Sequence, residues 1–470
     1  MKKYIAIIMA AALITGLAAC GTGSSATADN TAVNTTENTA TIQETENTAS
    51  GQPPEGGQGG PGGAPGGAPG SSASVEYSAA ASITENTEES NGSYSSSTAD
   101  ENALSVSGDI EVTLDGVTAD KTGDSDGGDT TSFYGTNSAI IAKDGATLNI
   151  SNAEITTDAK GANGVFSYGG SATTNNSSSD GTTVNISDSV ITTSKDNSGG
   201  IMTTGGGVMN ATNLTVSTAG TSSAAIRSDR GGGTVTVDGG TYKTTGNGSP
   251  AIYSTADITV KNAELTAEAS EGIIIEGMNS VTIDNVTLTD SNTKLNGQST
   301  TYKNIFLYQS MSGDAADGTS QFTASNSKIT TTNGDSFYVT NTTAVITLEN
   351  NTIVNNDASG NFLRAQADSW GSSGSNGGNV TLKLKNQKAS GNIVIDSVST
   401  LDMTLSDGSS YEGAINTENS AKSISLKLSA DSTLKLTGDT YVTSLSNADG
   451  SNSNIDFNGY KLYVNGTAVD

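Results

Sequence analysis

Apolar positions alternate with Thr, Asn, Ser and Asp through most of this chain, and the alternation comes in copies of one short pattern. It reads TLNISNAEIT at 147–156, TVNISDSVIT at 183–192, VMNATNLTVS at 208–217 and TVTVDGGTYK at 234–243. It continues as DITVKNAELT at 257–266, SVTIDNVTLT at 280–289, QFTASNSKIT at 321–330 and VITLENNTIV at 345–354. Neighbouring copies lie roughly 23 to 26 residues apart with three wider gaps, and such a period marks a solenoid. Alternation sends one set of side chains inward and the other to solvent, the strand period of two. The Asn-Ala, Asp-Ser, Asp-Gly and Asp-Asn steps inside the copies predict corners, because Asn, Asp and Gly tolerate left-handed backbone.

A second apolar cluster precedes most copies, as in Ala139-Ile140-Ile141, Gly164-Val165-Phe166, Gly200-Ile201-Met202, Ala251-Ile252-Tyr253 and Phe337-Tyr338-Val339. It supplies a third strand per period. Three short strands and three corners make one coil of a parallel β-helix. A single coil cannot bury its own apolar face, so the coils stack and ladders of like residues form along the axis, about 4.8 Å apart. A β-sandwich or propeller would need regular hairpins and longer repeats. The wider gaps at 157–182, 290–320 and 355–379 predict loops bulging from one edge of the coil, where repeat proteins often bind. Beyond Val380 the copies loosen but alternation persists to Tyr463-Val464, which predicts terminal coils and a cap over 380–470. The fold class is all-β, a parallel β-helix over 101–379 following a disordered linker.

The first residues read MKKYIAIIMAAALITGLAAC. Lys2 and Lys3, a short apolar stretch and a small-residue site before Cys20 make residues 1–19 a secretory signal, too short to span a membrane. Leu17-Ala18-Ala19-Cys20 resembles the lipobox of bacterial lipoproteins. The resemblance implies that Cys20 is lipidated, becomes the mature N-terminus and ties the chain to a membrane in the cell envelope, outside the cytoplasm. An ordinary cleaved signal with a chance cysteine is the alternative. Cys20 is the only cysteine, so no disulfide framework exists. From 20 to 100 the chain is polar and passes through QPPEGGQGGPGGAPGGAPGSS at 52–72. Gly-rich segments with spaced Pro build no core and act as flexible spacers.

Composition narrows the chemistry. The formal net charge is −28, and loss of Lys2 and Lys3 with the signal takes it to −30. Nucleic acid and anionic lipid heads require clustered Lys and Arg, so neither is an expected partner of this surface. The sequence holds no His. Ser-His-Asp and Cys-His catalysis, His-ligated zinc and His-ligated haem are therefore excluded. Carboxylates, Lys, Arg and Tyr remain.

Three sets of residues stand out. Arg227-Ser228-Asp229-Arg230 precedes three glycines at a corner, where two guanidinium groups beside a carboxylate suit a sugar acid, or else form a surface ion pair. Arg364 is followed by Gln366, Asp368 and the single Trp, Trp370, whose indole either stacks on sugar rings or packs against the coils. Asp124, Asp126 and Asp129 lie in a Gly-rich turn and offer oxygen ligands for calcium, or simply form Asp-Gly turns. Paired threonines such as Thr156-Thr157 and Thr192-Thr193 invite comparison with ice-binding β-helices, but they skip copies. Asn-x-Ser/Thr sequons follow from the alternation alone.

On the repeat, residues 101–470 resemble the right-handed parallel β-helix proteins of bacterial surfaces, including adhesin passenger domains, carbohydrate-binding β-helices and pectin-lyase-like proteins. The handedness is implied by that resemblance. A long rigid rod carrying many Ser, Thr, Asn and Tyr groups on a long tether, able to sum shallow contacts, leads to the expectation of a lipid-anchored surface protein that binds polysaccharide or another surface without catalysis and needs no cofactor. A calcium-assisted polysaccharide lyase or hydrolase using Arg227, Asp229 and Arg230, and a structural protein with no dedicated ligand, are the alternatives.

Overall fold

Each coil of the chain lays down three short strands, for example Ile140–Lys143, Thr147–Ser151 and Glu154–Thr157, then Val165–Tyr168, Thr183–Ser187 and Val190–Thr193. The computed structural model describes residues 75–171, 179–297 and 299–469. The signal 1–19, Cys20 and the linker as far as residue 74 lie outside the described residues.

Successive coils pair in parallel and in register. Val112, Leu148, Val184, Met209, Val235 and Ile258 are register neighbours in turn, all buried, and the column runs on through Val281, Phe322 and Ile346. Such columns fuse into one apolar core along the stack. The first strands of the coils form a 12-stranded parallel sheet. Second and third strands form another sheet, bent at the corners, because Gly207–Thr218 and Gly233–Thr244 run through their corner without a break.

The corners are the expected ones. Asn152, Asp188, Asn213, Asn262, Asn285, Asn326 and Asn350 all have φ between 49° and 55°, and Gly239 has φ 78°. Their side chains link coil to coil: Asn213 Nδ2 donates to Asp188 Oδ1 at 2.7 Å and Asn285 Nδ2 to Asn262 Oδ1 at 2.8 Å. These exposed ladders fix the axial register without demanding a buried polar group.

Two boundaries differ from the sequence reading. The first coil is Ser78–Ile83, Thr87–Ser90 and Ser93–Ser96, paired with Glu101–Ser107 and the strands after it, so the coils start inside the stretch read as linker. Ala81, Ile83 and Tyr94 are its side chains on the core, fewer large apolar residues than the later coils carry. No break falls at 379/380 either: Gly378–Lys385 continues the register of Thr342–Glu349. What changes there is that Lys388–Ser390 opens a separate four-stranded sheet of third strands. The end is closed by Leu462–Val464 pairing antiparallel with Thr467–Val469. Among the described residues no helix is long and apolar enough to cross a membrane.

Candidate functional site

One face of the stack is not bare. First strands such as Lys303–Tyr308 and Asp335–Thr340 are buried at every position, so both sides of that sheet are covered. Ile140 and Ala142 point to the core, and Ile141 between them points away. Along the outward column, Ile141, Phe166, Met202, Arg227, Tyr253, Ile274, Phe306, Tyr338 and Arg364 are register neighbours in turn. A short helix, Asp129–Tyr134, and the loops 309–318 and 366–377 cover it. The wider gaps at 290–320 and 355–379 thus bring in loops that fold back over the first strands, where the sequence pattern suggested free bulges, while the gap at 157–182 lies partly outside the described residues.

This cover decides the fate of the arginines. Arg227 is 4 % exposed, pairs with Asp229 at 2.9 Å, and donates to the Ser222 carbonyl and to Ser132 Oγ in the helix. Burial raises the Asp229 carboxyl to about 7 against the opposing pull of Arg227. Arg230 reaches solvent in part, but it grips Asp314 at 2.7 Å and lies 4.1 Å over the Phe133 ring. Arg227 and Asp229 therefore clamp the covering segment, and their polar atoms face each other beneath it. The corner position in sequence gave no sign of this, because Ser132 and Asp314 are remote along the chain.

Next to the clamp, buried Glu276 accepts hydrogen bonds from Tyr253 Oη at 2.5 Å, Tyr308 Oη at 2.9 Å and Ser310 Oγ. Burial raises its carboxyl, while the three hydroxyls hold it down. Together with Arg230–Asp314 this fastens the 309–318 loop to the sheet. The 366–377 loop is fastened by Trp370, whose ring lies 5.4 Å from Phe306 and 5.2 Å from Tyr308 between centroids. Asn376 Nδ2 closes the loop on the carbonyls of Asp368 and Trp370. Trp370 is thus a packing residue.

Arg364, Gln366 and Asp368 do come together. Arg364 Nε donates to Asp335 at 2.5 Å, Gln366 Nε2 to Tyr338 Oη at 2.9 Å, and Tyr338 Oη to Asp368 at 2.5 Å. They form a half-buried polar rim along the covered face. The acidic turn is not assembled as a ligand set. Asp124 accepts from the Lys160 backbone, Asp126 faces the Lys160 ammonium at 3.4 Å in solvent, and Asp129 opens the helix near Arg230 and Asp314. Among the described residues no group of three or more His, Cys, Asp or Glu side chains is placed to hold a metal.

Between the two fastened loops lies a polar groove of about 580 Å³. Gln309, Ser310, Met311 and Asp317 make one wall, Asn341, Thr342 and Thr343 the floor, and Ser372, Ser375 and Asn379 the other wall. Asn341 turns the floor with φ 52° and donates from Nδ2 to the Gln309 carbonyl at 2.8 Å. Gln309 is about nine-tenths buried; its Nε2 donates to the Ala315 carbonyl and its Oε1 has no partner. Met311 is largely exposed at the mouth. The gaps at 290–320 and 355–379 marked these loops, but nothing in the sequence says that they meet across the face. No protein-family model, no curated protein and no solved structure matches this chain.

Proposed function

We propose that this protein binds polysaccharide at the cell surface, without catalysis, in the groove between the 309–318 and 366–377 loops. The observation that carries the reading is the groove: side-chain amides, hydroxyls and one carboxylate on two anchored loops and on the sheet between them. Sugar hydroxyls pair with such groups, and loops already fixed in place lose little entropy on binding. Met311 offers a small apolar contact at the mouth. Burial of Arg227 with Asp229, and the engagement of Arg230 by Asp314, argue against these residues acting as the base and cation site of a lyase. The negative surface argues against nucleic acid as the ligand. The lipidated Cys20 and the Gly/Pro-rich linker would hold the coils outside the membrane in the cell envelope.

Affinity electrophoresis through gels containing single soluble polysaccharides, neutral and uronate-bearing, tests this. At least one polymer retards the wild type, and Asp317→Ala/Asn379→Ala weakens that retardation about tenfold, as expected for two lost polar contacts. Retardation by no polymer, or equal retardation of the variant, rejects the groove. Cys20→Ser should shift the protein from the membrane to the soluble fraction.

A further inference from the structure

Under the insert 291–302 the corner between third and first strands departs from its neighbours. Thr193, Thr218 and Thr244 each end a third strand and donate their hydroxyl to the carbonyl of Ser198, Ser223 and Ser249. In register after Thr244 come Ala267, Asp290 and Thr331. A carboxylate thus stands in a column of alcohols, with a small alanine beside it that leaves room.

Asp290 is fully buried; Oδ1 accepts the Asn292 backbone N–H at 3.0 Å, and Oδ2 has no partner. Two buried carboxamide oxygens at this corner are unpartnered as well, Asn292 Oδ1 and Asn304 Oδ1. Both amides are held by their nitrogens. Asn292 Nδ2 donates to the Lys303 carbonyl at 3.1 Å, and Asn304 Nδ2 to the Thr330 carbonyl at 3.2 Å and to Oγ1 of Thr331, the register neighbour of Asp290, at 3.0 Å. Rotating either amide would therefore break an existing bond. Gly272 makes space here, since a Cβ on it would lie 2.3 Å from Asn304 Oδ1.

We propose that this corner is a binding site for a hard divalent cation of the calcium type, held by Asp290 Oδ2 with the carboxamide oxygens of Asn292 and Asn304. An all-oxygen set suits hard cations, and unpaired oxygens buried together are costly unless something positive or hydrogen-donating meets them. Lys303 is already committed: its Nζ reaches Glu271 at 3.7 Å, Ser299 Oγ at 3.0 Å and the Thr301 carbonyl at 2.9 Å. Among the described residues no ion pair reaches Asp290. The site lies apart from the groove and stands whether or not polysaccharide binds there.

The test is thermal unfolding of the full chain after EDTA treatment, with calcium or with potassium added at equal ionic strength, alongside metal analysis after dialysis. Calcium at a hundredfold excess over its Kd should raise the midpoint by roughly 3 °C and leave about one equivalent bound. Asp290→Thr, which restores the residue of the column, should fold and lose both effects. Asp124→Asn/Asp126→Asn should keep both. No midpoint shift and no bound metal in the wild type overturns the proposal, and the corner then holds a protonated Asp290. Retention of both effects in Asp290→Thr overturns it equally.

Discussion

Single residues at the corners carry more of this fold than their size suggests. Asn285 holds φ 54° and passes a hydrogen bond to Asn262, so one side chain both relieves backbone strain and ties two coils. An L-residue without a side-chain acceptor costs about 1–2 kcal/mol in the left-handed region, whereas glycine adopts it freely. Asn285→Ala should therefore lower the thermal midpoint more than Asn285→Gly does. Equal midpoints for the two variants would mean that the ladder bond, lost in both, and not the backbone, sets the cost. These corners were legible in the sequence because the signal is local: an Asn or Asp at a fixed offset inside each copy. Arg227 was not legible in the same way. Its partner Asp229 is adjacent, but the helix and loop that bury the pair come from 129–134 and 309–318.

At the level of elements, the strands of each coil were readable and the cover over the first strands was not. Periodicity reports which side chains share a face. It carries no word on whether an inserted loop returns to that face, because such contacts join remote residues such as Thr300 and Asp368 or Arg230 and Asp314. The first described coil was missed because Ser78–Ser96 carries a single large aliphatic residue, Ile83, too few to show the alternation of the later copies. The cover is a separate apolar layer of Tyr253, Ile274, Phe306, Tyr308, Tyr338 and Trp370, outside the main core. Trp370→Ala should accordingly free the 366–377 loop locally. Protease cleavage in that loop should rise and polysaccharide binding should fall, while the global unfolding midpoint changes little. A midpoint that collapses together with the loop would show that the layer and the core are one cooperative unit.

Across the whole molecule, buried and exposed carboxylates respond oppositely to pH. Burial raises Asp229 from an ordinary 3.8 to about 7 and also raises Glu276 and Asp290. A carboxyl raised in the folded state contributes stability that is full below its unfolded pKa and lost as pH climbs through its folded pKa. The exposed Asp115, Asp284, Asp357 and Asp449 are lowered by Ser, Asn or backbone donors, so their contribution is present above the ordinary carboxylate range and lost below it. In EDTA the thermal midpoint should therefore peak at mildly acidic pH, roughly 4 to 6, and decline toward pH 8. Self-repulsion of a chain with net charge −28 acts in the same direction. Glu276→Gln should flatten the alkaline decline; an unchanged slope would remove Glu276 from the cause.

The central claim is that a loop-built groove on an otherwise regular stack of coils is where ligand sits. Amide hydrogen exchange with and without a saturating oligosaccharide, cut from whichever polymer retards the protein, measures that directly. Added protection should be confined to residues 309–319, 341–343 and 371–379, with the exposed corner ladders unchanged. Protection spread along the second-strand face around Asn149, Asn185 and Asn210, with none in the two loops, would contradict it.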